Sequence, residues 1–364
     1  MLNYKMKNKL SILYITPPND KIVTPEVGFA RDLSKLGHNV CLLKSCNDYP
    51  NSVLTEKFDI IMGAMEYSMG LANYLGKRLN IPVYNHMEWI PPWRINLSVL
   101  DKWGQEESSL EKVTPEMIDI YKNLYKKQAE DWAKATIRSC AGKCFVEGIN
   151  EFLDTPVDCE IKYYAPNIDK LQQYYNPNLK EHYQIMSTAR LVPHKKIVHV
   201  VRALAKIPKE KRPNYIIIGY GKEAEQIINE SKKLNVNIAL VGPGDNGLKE
   251  QIIQESMFSV NIWAGIPIAE SFYFKKPAIS YADTHMLEVF GNDVVDFVKS
   301  DDIDALAKKI EFLCDNPEYR KLRGEQGYQA MMNDKIGMGT PQKLVKQIEA
   351  ILYKGVELWK EQHK

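Results

Sequence analysis

Short apolar runs alternate with helical patterns along most of this chain, and that alternation limits the fold more than any other feature. In the first half the strand-like runs lie at 10–15, 39–43, 58–62 and 82–84, with shorter ones read at 143–146 and 161–164. In the second half they lie at 183–188, 215–218, 238–241, 258–262 and 278–280. Between them come helical stretches such as 70–79, 222–234 and 247–256. Two helices announce their starts. Thr24-Pro25-Glu26 and Thr114-Pro115-Glu116 each offer a threonine cap, a proline in the first turn and an acid beside the helix dipole. The first of these helices stops at Gly37, and the second is read to about 137. Strands separated by helices imply parallel βαβ units, so the fold class is α/β.

Two such series imply two doubly wound, Rossmann-like domains, which the length of 364 residues accommodates. We place the first at 1–168 and the second at 169–340, with the linker near 165–180. An amphipathic helix at 341–361, carrying Leu344, Ile348, Ile351, Leu352 and Leu358, follows within 341–364. Ligands of doubly wound sheets sit at the carboxyl ends of the strands, so two such domains would face each other across a ligand-binding cleft. Within the first domain, 90–113 is long, irregular and carries Pro91, Pro92, Trp93 and Trp103, and loops of this length are functional or disordered.

Composition removes several classes of function. A formal net charge of +2 gives no support for nucleic-acid binding. The six cysteines, at 41, 46, 140, 144, 159 and 314, contain no paired CxxC units, so neither a zinc site nor a disulfide framework is expected. Cys140 and Cys144 read as small buried hydrophobes. This usage fits a reducing compartment, and a cytoplasmic location is expected. The apolar run at 10–15 is too short for a secretory signal, and no run reaches the ~18 residues that span a bilayer.

The segment Arg190-Leu191-Val192-Pro193-His194-Lys195 follows a strand and precedes an apolar-periodic helix. An arginine fork and a lysine point charge at a helix start make a cradle for a pyrophosphate. A surface loop that merely holds two cations is the alternative. Gly219-Tyr220-Gly221 and Val241-Gly242-Pro243-Gly244-Asp245 each end a strand, where glycine lets a backbone approach a ligand or simply makes a tight turn. Gly265-Ile266-Pro267-Ile268-Ala269-Glu270 leads into a helix read at 271–274. Glu270 is suited to accept two hydroxyl hydrogen bonds from a vicinal diol, or is a solvated acid at a helix N-terminus. The backbone N–H groups of Ile268 and Ala269 are expected to point at a phosphate. His86, read as lying just after the strand at 82–84, faces a ligand or is structural; Glu66 is a weaker candidate.

Taken in this order, the segments resemble the GT-B retaining glycosyltransferases of the group 1 kind. Arg190 to Lys195 is similar to their G-R-L-x-x-x-K-G segment, with Ala189 and Lys196 in place of the two glycines. Gly265 to Glu270 is similar to the end of their E-x7-E segment. The resemblance implies that Arg190 and Lys195 hold the diphosphate of a nucleotide-sugar donor. It implies that Glu270 holds the donor ribose, that Gly219, Gly221, Gly242, Gly265, Ile268 and Ala269 line the donor, that His86 faces the transferred sugar, and that the helix within 341–364 packs back on the first domain. The chain departs from the pattern at the first acid of E-x7-E, where Ile262 stands, with Trp263 and Ala264 replacing Gly-Phe. The glycine-rich first loop is replaced by Pro17-Pro18-Asn19-Asp20-Lys21.

The expected function is transfer of a hexose-type sugar, with retention, from a nucleoside-diphosphate sugar to a glycan, lipid-linked or small-molecule acceptor, as in cell-envelope glycan synthesis. The alternative is a catalytically impaired homologue that binds a nucleotide or glycan, or supports an active partner. A sugar-nucleotide epimerase would need catalytic acids and a histidine that have no place here. No cofactor is expected, and no metal. Asp302-Ile303-Asp304 reads as a helix cap and first-turn acid, so Arg190 and Lys195 must neutralise the leaving group. A helix bearing Tyr121, Leu124, Tyr125 and Trp132 among Lys122, Lys126, Lys127 and Lys134 leaves peripheral contact with the inner membrane face open, against a buried aromatic stripe.

Overall fold

The computed structural model describes residues 9–16, 25–44, 51–63, 66–87, 115–244 and 247–364. The loops at 17–21 and 90–113, the caps Thr24 and Thr114, and Asp245 lie outside the described residues. The described chain forms two compact units. One comprises residues of Met1–Ile95, Thr114–Tyr163 and Gln342–Lys364; the other comprises Tyr164–Pro341.

The first unit contains β1 (Ser11–Thr16), α1 (Pro25–Lys35), β2 (Asn39–Lys44), β3 (Ile60–Gly63), α2 (Glu66–Leu79) and β4 (Val83–Met87). It continues with α3 (Pro115–Ala133), β5 (Ile137–Cys140), α4 (Lys143–Asn150) and β6 (Glu160–Ile161). The six strands are all parallel, in the order β2-β1-β3-β4-β5-β6. Both faces of such a sheet are covered by helices, which is why β3 and β4 are buried along their whole length.

Two local readings are corrected here. Residues 143–146 form a helix start, not a strand. Phe145, Gly148 and Ile149 are its buried residues, and that spacing is the helical one. The strand lies earlier, at β5, where the sequence had prolonged α3. Cys140 at its end is buried, and its Sγ lies 3.6 Å from Cys159 Sγ. On α3 itself Tyr125 and Trp132 are buried, while Leu124, Lys122, Lys126, Lys127 and Lys134 are exposed. Tyr125 and Trp132 of the aromatic stripe therefore face inward, and Leu124 does not. Among the described residues no helix is long and apolar enough to cross a membrane.

The second unit contains α5 (Ile168–Gln173), β7 (Gln184–Thr188), α6 (Ile197–Lys206), β8 (Asn214–Ile218), α7 (Ala224–Lys233), β9 (Ile238–Leu240) and α8 (Leu248–Glu255). After these come β10 (Phe258–Val260), α9 (Gly265–Tyr273), β11 (Ala278–Tyr281), α10 (Thr284–Phe290) and β12 (Asp296–Val298). Helices α11 (Ile303–Asp315) and α12 (Pro317–Met332) complete it. Its strands are also all parallel, in the order β12-β11-β10-β7-β8-β9. Read from the other edge, this is the doubly wound order 3-2-1-4-5-6 of the dinucleotide-binding fold. The order reverses between β7 and β10. One core cluster, including Ile185, Leu204, Tyr215, Phe258, Ile279 and Leu306, fills one side of this sheet.

The last helix, α13 (Pro341–Gln362), buries Leu344, Ile348, Ile351 and Leu352 within the first unit. Gly355 is small because a Cβ there would meet Ile137 and Ile60 of the first sheet. His38 accepts a hydrogen bond at Nδ1 from Leu10 N–H (3.1 Å), which leaves its Nε2–H to donate to Glu349 Oε1 (2.8 Å) on the same helix.

Candidate functional site

The strand-order reversal of the second unit sets the place to look. Crevices outside the carboxyl ends of strands flanking a reversal are where such sheets bind ligands. The two loops that leave those strands are 189–196 after β7 and 261–264 after β10. These are the segments singled out by their cations and by Glu270.

Arg190 is exposed, and its guanidinium has no partner among the described residues. Its backbone is held firmly. Ala189 N–H donates to Ile218 O (3.0 Å), and Leu191 N–H donates to Tyr220 O (2.9 Å). The Gly219-Tyr220-Gly221 turn thus runs directly against the arginine loop. A Cβ on Gly219 would fall on the Ala189 carbonyl oxygen, and one on Gly221 on that of Leu191. Both glycines have positive φ, +150° and +157°. Glycine is needed here because backbone passes against backbone, and Tyr220 between them is 70% exposed. Gly219 N–H also donates to Gly242 O (2.6 Å), so the third loop is laced to the second.

Lys195 ends a short 3₁₀ turn, Pro193–Lys195, and its Nζ donates to the carbonyl oxygen of Trp263. The ammonium therefore bridges the loops after β7 and β10. Lys196 then takes the left-handed conformation (φ +53°) before α6 begins, and Trp263 does the same (φ +53°). These are positions at which the resembled pattern has glycine, which explains that preference: the backbone must turn where an L side chain is disfavoured. Lys196 is tied to Asp301 (3.0 Å), away from any shared role with Lys195.

The helix after β10 starts earlier than the sequence suggests. It runs from Gly265 through Tyr273, so Glu270 is inside it rather than ahead of it. Ile268 N–H is already bonded to Ala264 O (3.3 Å). The N-terminal donors not used by the helix belong to Gly265 and Ile266, since Pro267 has none; Ile268 and Ala269 are fully buried. A Cβ on Gly265 would press on Met338. Glu270 is not a solvated acid either. It is 7% exposed, and its Oε1 receives Lys249 Nζ at 2.5 Å. Burial raises its pKa, and the Lys249 cation pulls it back.

Sequence reasoning missed the company Glu270 keeps. Lys249 Nζ is 3.6 Å from Glu250 Oε1, and Lys170 Nζ on α5 is 3.1 Å from the same oxygen. Glu250 is completely buried. The group thus holds two cations and two carboxylates in alternation. The signal was present: Lys249 sits three and four residues before the buried Ile252 and Ile253, on the face an amphipathic helix turns inward.

Around the ends of β7, β10 and β11 lie further polar groups. Asn261 Oδ1 accepts from Thr188 N–H (2.9 Å). The buried atoms Asn261 Nδ2, Thr188 Oγ1 and Asp283 Oδ2 have no protein partner. Buried polar atoms are nearly always satisfied, and these three lie at or just past the carboxyl ends of the inner strands β7, β10 and β11. Burial pushes Asp283 up to about 6 against the pull of Lys195 and of backbone N–H groups. Burial pushes His194 down to about 3, helped by the adjacent cations Lys195, Arg190 and Lys196. It pushes His285 down to about 4. The His285 ring lies 6.1 Å from that of Trp263. Ile262, where the resembled pattern has its first acid, is buried.

In the first unit His86 lies inside β4 rather than after it. It is 1% exposed and pairs across the sheet with Ser139, whose Oγ is 2.7 Å from its Nδ1 and 2.6 Å from Tyr84 OH. Burial, then the nearby Lys162, holds it well below the usual histidine range. That is the environment of a neutral core histidine. Glu66 is the first residue of α2. Asp302 accepts from Ala305 N–H (2.8 Å) as the cap of α11, and Asp304 pairs with Lys206 (2.8 Å).

Residues 170–330 match the family model described as Glycosyl transferases group 1, which covers most of the second unit. No curated protein sequence matches the chain. Among solved structures, the chain is similar to Anabaena Alr3699/HepE in complex with UDP, at 12% identity and TM-score 0.69, over 95% of this chain and 100% of that one. It is similar to sucrose-phosphate synthase from Thermosynechococcus elongatus, at 14% identity and TM-score 0.66, over 98% and 99%. It is also similar to α,α-trehalose 6-phosphate synthase from Burkholderia multivorans, at 10% identity and TM-score 0.64, over 95% and 98%. At these identities the likeness establishes the fold, which is the GT-B fold.

Proposed function

We propose that this chain, a group 1 glycosyltransferase by the family its second unit matches, moves a hexose-type sugar from a nucleoside-diphosphate sugar to an acceptor hydroxyl with retention of configuration. The observation that carries this reading is the pair of cations after β7 at the strand-order reversal. Arg190 presents an unpartnered guanidinium, and Lys195 ties that loop to the loop after β10. A diphosphate beside them would find a bidentate fork, a point charge and the free N–H groups at the start of α9.

As the bond from the anomeric carbon to the donor phosphate breaks, negative charge grows on the leaving oxygen. Arg190 and Lys195 are placed to stabilise it, and that differential stabilisation is what lowers the barrier. The acceptor hydroxyl attacks from the face the diphosphate leaves. Its proton passes to a phosphate oxygen of the donor, so no protein nucleophile and no cofactor take part. Glu270 holds the ribose diol through the oxygen that Lys249 does not occupy. A glycan, lipid-linked or small-molecule acceptor fits this scheme.

A structure of Anabaena Alr3699/HepE contains UDP-glucose, so a uridine nucleotide is the first donor to try. Thermal unfolding with UDP, GDP, ADP and TDP, followed by donor hydrolysis with a panel of nucleotide sugars, tests the proposal. One nucleotide should raise the melting temperature, since it binds only the folded state. If none does so at millimolar concentration, the reading fails.

A second reading, a nucleotide-binding homologue without transferase activity, is favoured by one observation: buried Ile262 stands where the resembled enzymes place an acid. Nucleotide binding without turnover of any donor and acceptor would select it.

A further inference from the structure

Glu270 is too deeply placed to act alone. A carboxylate that buried would take up a proton in preference to standing ionised without a counter-charge. It is held instead by Lys249, whose ammonium makes a 2.5 Å contact with one oxygen, Oε1. Both side chains are nearly buried, so water screens the contact little. The backbone of the same lysine packs against the loop after β9. Lys249 N–H donates to Gly244 O (3.3 Å), and a Cβ on Gly244 would come within 3.0 Å of Lys249 Cβ. One residue thus spans the distance between the Gly242–Gly244 loop and Glu270. Glu250, beside it, would repel a second carboxylate, and Lys170 offsets that repulsion at 3.1 Å.

We propose that Lys249 is a positioning residue for the nucleotide: it fixes the Glu270 carboxylate, ionised and with Oε2 turned outward, to receive a ribose diol. It touches neither the reacting atoms nor the sugar. This inference rests on the proposed nucleotide-sugar site and names how that site recognises ribose. Without Lys249, Glu270 would face Glu250 and Lys170 alone, and burial would drive it further toward the protonated form. A protonated carboxyl has lost acceptor capacity, so the diol would be held less well, and binding would recover as pH rises.

The test measures affinity for UDP and 2′,3′-dideoxy-UDP by calorimetry, with GDP and ADP and their dideoxy forms used if UDP does not bind. The variants are Lys249→Met, Lys249→Arg and the charge-balanced Lys249→Met/Glu250→Gln. The double variant removes one charge of each sign, so it is available should the single variant fail to fold. Loss of Lys249 should weaken the ribonucleotide about 10-fold or more at pH 7, and distinctly less at pH 9. The dideoxy nucleotide, which has no diol to offer, should bind wild type and variants alike. Lys249→Arg should restore most of the ribonucleotide affinity. Equal weakening of both nucleotides would show that Lys249 only supports the fold of the loop and would overturn the proposal, as would unchanged ribonucleotide binding. Failure of wild type to bind any nucleotide would instead reject the proposed function itself.

Discussion

The two cations after β7 do different work, and their surroundings say why. Lys195 is already engaged by the Trp263 carbonyl, so part of its role is to fix one loop against another. Arg190 makes no such contact and is available to a ligand. Arg190→Ala is expected to lower kcat/KM for donor hydrolysis by about 10²–10³-fold, the range for removing one preorganised donor to a developing anion. Its melting temperature should stay within a degree or two of wild type, because nothing structural is lost. Lys195→Ala should lose comparable activity and some stability as well. Wild-type rates in either variant would remove it from the site. Gly221 sets a harder limit. Any side chain there collides with the Leu191 backbone, and φ is +157°. Gly221→Ala should cost about 1–3 kcal/mol in urea unfolding and displace the arginine loop as well. These roles were partly legible: the order of Arg190, Lys195, the glycine pairs and Glu270 pointed to one site. The Lys249 contact went unread although its spacing to Ile252 and Ile253 marks the inward face, because a lysine in a helix normally reads as a solvated charge.

Among the elements, α13 is the clearest case of a segment far along the chain that completes an earlier one. Its apolar stripe was visible in the sequence; that it returns to the first unit was implied only by the family resemblance, and the residues it covers were not legible. Ile348 is fully buried and Gly355 lets the helix lie close to Ile137 and Ile60. Ile348→Ala should destabilise the first unit by about 2–5 kcal/mol, read as a lower melting temperature in calorimetry. An unchanged transition would mean the helix adds nothing to that unit. The misread stretch at 143–146 teaches the opposite lesson. Four residues hold too few periods to separate a strand from a helix start, and the answer lay in Gly148 and Ile149. Strand β12 escaped because it has only three residues, Asp296–Val298, one of them an acid that meets Lys309 and Arg323.

For the molecule as a whole, the buried histidines set the response to acid. His194 titrates near 3 and His285 near 4 in the folded protein, below the ordinary value of 6.5. Between those values and 6.5 the unfolded chain binds more protons than the folded one, so stability falls as pH falls. Asp283 acts in the other direction. Its folded value near 6 lies above the ordinary 3.8, so acidification between those points favours the folded state. Glu270, also raised by burial, acts with Asp283, but the histidines outnumber the two once His86 adds a third neutral ring. The melting temperature should therefore drop between pH 7 and pH 5. His194 alone accounts for about 2 kcal/mol of that loss at pH 5. His194→Gln, if it folds, should flatten the profile by about that amount; an identical slope would show that His194 is protonated in the folded state.

Alternation of strand and helix is a local property, carried by apolar spacing, turn residues and caps, so the sequence by itself determined the α/β class and both series of parallel strands. The same is true of loops that follow a strand with glycine or with fixed cations. Strand order is not local. Which strands lie at the reversal, and hence which loops can share a ligand, depends on pairings between residues as far apart as Met186 and Ser259. Charge states are not local either. The sequence left Glu270 between a diol ligand and a solvated acid, and His86 between a ligand-facing and a structural ring; burial and counter-charge, which bear on both, come from elements remote in the chain.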